Sequence, residues 1–113
     1  MKNNVDYLDW TREEFMAYVM SYAARLDIDH SSDERTFIRN HVALTDYVHI
    51  QNEIKKDSDV EALEKIDSYG KEHNFSLLDK DLILVEVKKM FEFNDETTAM
   101  EEGIMGLLRK IFN

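Results

Sequence analysis

The side chains best suited to chemistry stand in two polar breaks. The first reads Asp27-Ile28-Asp29-His30-Ser31-Ser32-Asp33-Glu34, and the second runs from Phe93 to Thr98 with Glu101 just beyond. Oxygen donors at alternate positions of the first break suggest a calcium loop. An EF-hand fails at two places: position six is Ser32 where the sharp turn needs glycine, and position twelve is Ile38 where a bidentate glutamate is needed. Another spacing repeats in both breaks. Asp27 precedes Glu34 by seven residues, and Asn94 precedes Glu101 by seven. If the segments carrying them pack as pseudo-symmetric partners, Asp27, Glu34, Asn94 and Glu101 converge. Such hard oxygen ligands suit Ca²⁺, Mg²⁺ or Mn²⁺. The spacing also has a local use. Ser31-x-x-Glu34 and Thr98-x-x-Glu101 are capping boxes, in which each glutamate returns to its own cap amide and Asp27 is merely solvated.

Other chemistries find little support. The chain has no cysteine, so it has no disulfide, no thiolate nucleophile and no Cys-ligated metal. No His-x-x-x-His pair occurs, and His30, His41, His49 and His73 read as surface or cap residues rather than a zinc site. Three scattered glycines cannot build a phosphate loop. The serines mostly occupy cap-like or helical places. An enzyme working through paired carboxylates needs a cleft and separated pKa values, and the sequence displays neither. The expectation is a non-enzymatic protein.

The elements that must position these residues are helices. Thr11-x-x-Glu14 opens a segment in which Phe15, Val19, Tyr22 and Leu26 recur at helical spacing, widened by Met16, Met20 and Ala23, with Trp10 and Phe15 placed as a hydrophobic staple. Ser31-x-x-Glu34 starts a second helix through Phe37, Ile38 and His41. Thr45 is a candidate cap for a third, ending near Asp57. Ser58-x-x-Glu61 starts a fourth, with Val60, Leu63, Ile66 and Tyr69 inward and its end fraying from Gly70. Ser76 and Asp79 start a fifth, with Leu78, Leu82, Val85 and Phe91 on its core side and Ile83, Leu84, Val87 and Met90 broadening it. Thr98-x-x-Glu101 starts a sixth through Ile104, Leu107, Leu108 and Ile111. Gly103 and Gly106 share a face of it, where a close helix crossing would offset their poor helix propensity. The methionines lie within apolar stripes as core filler.

An offset of 67 lays the first helix and break over the fifth helix and second break, Ser31 over Thr98 and Glu34 over Glu101. The expected fold is a single all-α domain over 1–113, with six to seven helices built on two related helical hairpins and residues 1–9 a loose N-terminal segment. No proline and three glycines in 113 residues argue against turn-rich β architectures. Mass scaling gives roughly 6,500 Å² of folded surface, enough enclosed volume for one core. The formal charge of −10, from 24 acids and 14 bases, repels a phosphate backbone. The paired bases Lys55-Lys56, Lys88-Lys89 and Arg109-Lys110 are not interleaved with aromatics. No nucleic-acid partner is expected. No apolar run approaches 18 residues and Met1–Asp6 lacks a signal-peptide core, so no membrane span and a cytoplasmic location are the expectation.

The chain resembles the TerB-like family, the small helical domain named for tellurite-resistance operons, in its compact Bacteroidetes-type form. Asp9-Trp10-Thr11-Arg12-Glu13-Glu14-Phe15 is similar to the family's Trp-Thr-x-Glu-Glu-Phe start. Tyr22-Ala23-Ala24-Arg25-Leu26-Asp27 followed by Ser31-x-x-Glu34 is similar to its first acidic motif, and Lys88-Lys89-Met90-Phe91 with Asn94-Asp95 and Glu101 to its second. The resemblance spans Trp10 to Phe112. It implies an all-helical fold, an acidic metal site at Asp27, Glu34, Glu101 and Asn94, and a stress-linked or interaction role without catalysis. The chain departs from the pattern where Asn94 replaces an aspartate, Asp95 a glycine, and His30 a small apolar residue. The loss of one charge weakens a hard-cation site. The alternative is a protein-interaction or scaffolding domain with a vestigial metal site, its acidic surface meeting a basic protein partner.

Overall fold

The computed structural model describes residues 7–26, 32–40, 43–92 and 99–112. A short 3-10 turn at Tyr7–Asp9 leads into α1 (Arg12–Leu26), α2 (Ser32–Arg39), α3 (Leu44–Lys56), α4 (Asp59–Glu72), α5 (Leu77–Glu92) and α6 (Ala99–Phe112). No strand occurs among the described residues, and the fold is the expected all-α bundle.

Three helix starts are set by reciprocal bonds between a cap and the residue three on. The Thr11 hydroxyl accepts from the Glu14 amide at 3.1 Å, and the Glu14 carboxylate accepts from the Thr11 amide at 2.8 Å. Ser58 and Glu61 repeat this at α4, and Ser76 and Asp79 at α5. Each pair satisfies two amides that the helix itself leaves unbonded. α3 starts otherwise: Ala43 is its N-cap, with no side-chain bond, so Thr45 lies inside the helix rather than capping it. α4 runs through Gly70 to Glu72 instead of fraying. The reversal follows at Asn74, whose φ of 53° lies in the left-handed region that asparagine tolerates. The boxes at Ser31 and Thr98 begin outside the described residues.

α1 is the central element and packs against α2, α3, α4 and α5. From Phe15 to Ala24 it is buried almost all round, with only Met16 half-buried. Phe15 stacks on Tyr69 with ring centroids 4.0 Å apart, and Phe75 closes edge-on at 5.7 Å. Trp10 packs instead on Tyr18 and edge-on to Tyr7 and His49. The total accessible surface, 6769 Å², is close to the mass-scaling expectation.

The two-hairpin pattern survives at the level of elements. α1 packs on α2, α5 packs on α6, and α1 packs on α5; α2 starts at Ser32 and α6 at Ala99, again 67 apart. Other expectations change. Val60 is exposed, and α4 buries Ala62, Ile66 and Tyr69. A Cβ added at Gly103 or Gly106 meets nothing within 4 Å, so no close crossing accounts for these glycines. The main reversal is in α5. Its core side is Ile83, Val87, Met90 and Phe91, while Leu78, Leu82 and Val85 face outward. α5 is apolar on both sides, so its periodicity permits either face inward; packing against α1, α2 and α6 selects one.

Candidate interaction surface

The exposed residues of α5 form a line. Leu78, Leu82 and Val85 stand at i, i+4 and i+7, on one helix face, and are 67%, 52% and 45% exposed. Leu77 extends the patch at the first turn. Beside it a cleft of about 350 Å³ runs between α1 and α5, lined by Arg12, Glu13, Met16, Leu82 and Glu86. One wall is braced by the start of α5. Arg12 pairs with Asp79 at 3.3 Å and lays its guanidinium over the Phe75 ring, 4.4 Å from the centroid. The backbone amide and hydroxyl of Ser76, together with Arg12, hold the Asp79 carboxyl below its usual range. On the outer rim Lys89 pairs with Glu86 at 3.2 Å.

The duplication gives this face a counterpart. Subtracting 67 from Leu82, Val85 and Lys89 gives Phe15, Tyr18 and Tyr22, all fully or nearly fully buried. In the first hairpin that face lies under α3 and α4, and no described element plays that part for α5.

The cover over α1 is held by polar bonds that short-range sequence patterns do not reveal. The Tyr18 hydroxyl donates to Asp57 at 2.5 Å, and Lys65 donates to the same carboxylate oxygen at 2.8 Å. Lys65 also reaches Glu53 at 3.4 Å. Arg25 donates to the carbonyls of Ile54 and Asp57 at 2.7 and 2.9 Å and to the Asp59 carboxylate at 2.9 Å. It thereby satisfies the open carbonyl end of α3 and pairs with the first turn of α4. Burial, then the bond to Asp57, pushes the Tyr18 phenol far up. Burial works against charge on Lys65, but Asp57 and Glu53 outweigh it and raise its pKa. Each charge here is matched by another, so the cluster ties helices together. These partners lie 29 to 39 residues apart for Arg25–Ile54 and Tyr18–Asp57, beyond any helical spacing.

Of the four expected metal ligands, Asp27 and Asn94 lie outside the described residues, and so does the side chain of Glu34, which falls within α2. Glu101 is described: it sits in the first turn of α6 and is 6% exposed. The other box glutamates differ, Glu61 being exposed and Glu14 half-buried. Among the described residues no three His, Asp or Glu side chains stand together as a metal-binding group. His73 caps the C-terminus of α4, 2.7 Å from the Leu8 carbonyl, and His49 packs on Trp10; His30 and His41 lie outside the described residues. Met20, Met90 and Met105 are core filler as expected, while Met100 is 41% exposed. No described helix is long and apolar enough to cross a membrane.

No protein-family model, curated protein or solved structure matches the chain, so the TerB-like resemblance rests on its short motifs alone.

Proposed function

We propose that the chain is a non-enzymatic interaction module that binds protein through the outer face of α5. The observation that carries this is the exposed line Leu78–Leu82–Val85, in which Leu82 and Val85 correspond to the buried Phe15 and Tyr18 of the first hairpin. Each exposed leucine or valine forgoes roughly 25 cal/mol for every Å² of apolar surface left in water. A contiguous apolar stripe with a charged rim is a common form of protein-binding site. The interaction role implied by the TerB-like resemblance agrees with it. A photo-crosslinking amino acid at Leu82, with exposed Glu64 as control, tests the reading in cells that make the protein. Protein adducts formed from position 82, absent from position 64 and lost on adding Val85→Glu, support it. Equal adducts from both positions, or none from 82, overturn it.

A second reading follows from the TerB-like resemblance, which names Glu101, a buried residue of α6, as a ligand. In this reading Glu101 joins Asp27, Glu34 and Asn94 around a divalent cation, Ca²⁺, Mg²⁺ or Mn²⁺, which would draw the ends of the two hairpins together. Three carboxylates and an amide are a hard-oxygen donor set that fits such ions. Calorimetric titration of chelator-stripped protein with the three cations decides it: heat of binding supports the site, and its absence for all three removes it.

A further inference from the structure

We infer that the partner seated on the outer face of α5 is α5 of a second copy of this chain, packed antiparallel across a two-fold axis. This deepens the interaction reading and rests on it. Leu78, Leu82, Val85 and Lys89 follow intervals of four, three and four, the spacing of a coiled-coil seam. Asp81 and Lys88, both exposed, lie seven apart along one edge of that seam; Asp79 and Glu86 lie on the other edge, each neutralised within its own chain, by Arg12 and by Lys89.

This edge is self-complementary in one direction only. In a parallel pair each Asp81 faces a Glu86, like against like. In an antiparallel pair the same edges meet. With the axis between Leu82 and Val85, Asp81 of one copy lies within two residues, about 3 Å along the helix, of Lys88 of the other. Symmetry makes this pair twice. Leu82 of each copy then meets Val85 of the other, and the Lys89 stem lies across Leu78 with its ammonium reaching water. The chain carries −10 overall, but α5 carries only four acids against three lysines. A border so nearly neutral suits a like-charged copy better than a strongly basic partner, which would call for an acidic rim. Antiparallel helix dipoles add to the preference.

The test is sedimentation equilibrium of the purified full chain, from micromolar to millimolar, with circular dichroism to confirm the fold. Wild type is expected to dimerise reversibly. Leu82→Glu weakens the dimer by more than about tenfold. Asp81→Lys and Lys88→Asp each weaken it, and Asp81→Lys/Lys88→Asp restores it. The two single swaps, mixed, form a heterodimer. All the substituted side chains are exposed, so helicity is retained; should Leu82→Glu unfold, the swaps alone decide. A dimer indifferent to Leu82→Glu and to both swaps overturns the inference, because it uses another face. A strictly monomeric wild type overturns it too, and adducts from position 82 to a different protein would then leave the interaction reading standing. Absence of any adduct from position 82 removes that reading itself.

Discussion

Asp57→Ala measures what fastens α3 and α4 over the central helix. The Asp57 side chain is 9% exposed and accepts both the Tyr18 hydroxyl, at 2.5 Å, and the Lys65 ammonium, at 2.8 Å. Removing it strands a buried hydroxyl, at about 1–3 kcal/mol. It also unpairs Lys65, but that group is 21% exposed and keeps Glu53 at 3.4 Å, so its share falls below the 3–5 kcal/mol of a fully buried broken pair. The Arg25 bonds to Ile54 and Asp57 go to backbone carbonyls and survive. The sum is about 2–4 kcal/mol, or roughly 8–16 °C in Tm for a domain of this size. Tyr18→Phe leaves the Asp57–Lys65 pair in place and is expected to lower stability by only about 1 kcal/mol. Urea denaturation of wild type, both single variants and the double variant closes the cycle, with a coupling of about 1 kcal/mol or more expected between two groups in contact. Asp57→Ala within about 0.5 kcal/mol of wild type, or strict additivity with Tyr18→Phe, would refute the reasoning.

The titration of the same cluster predicts stability losses at both ends of the pH scale. Tyr18 and Lys65 hold their protons more tightly folded than unfolded, so their contribution is full below about pH 10 and is lost as pH rises above it. Glu53 is shifted the other way, because Lys56 and Lys65 outweigh burial. Its contribution is present above about pH 4.3 and is lost as pH falls through its depressed folded value; urea midpoints from pH 3 to 11 check both limbs. Gly103→Ala, at an exposed helical site with nothing within 4 Å of the new methyl, is expected to raise stability by about 1 kcal/mol, and no gain in the urea midpoint would mean that a close neighbour exists there. In the cation reading, millimolar Ca²⁺ or Mn²⁺ raises Tm, Glu34→Gln and Glu101→Gln each remove most of the rise, and Asn94→Asp enlarges it. Glutamine still closes a capping box, so an equal metal response in wild type and all three variants would reduce the glutamates to caps.

Local chemistry was legible without coordinates. Thr11–Glu14, Ser58–Glu61 and Ser76–Asp79 could be read as helix starts because a capping box is a contact between residues three apart, written entirely in adjacent sequence. The offset of 67 that matches α2 to α6 was likewise visible as a pattern. What sequence could not supply was the choice between two apolar faces. Ile83–Val87–Met90 and Leu78–Leu82–Val85 are both helical stripes, and a period of 3.6 does not say which one meets a neighbour. Expectation placed Leu82 and Val85 inside. Packing of α5 against α1, α2 and α6 turned them out, and that reversal created the candidate surface. The same limit hid the Tyr18–Asp57–Lys65 tie, whose members meet only after α3 and α4 fold back over α1. Residue type and spacing determine which helices form and where they begin. Only the tertiary structure determines which side each one buries, because burial is a property of the neighbour as much as of the helix.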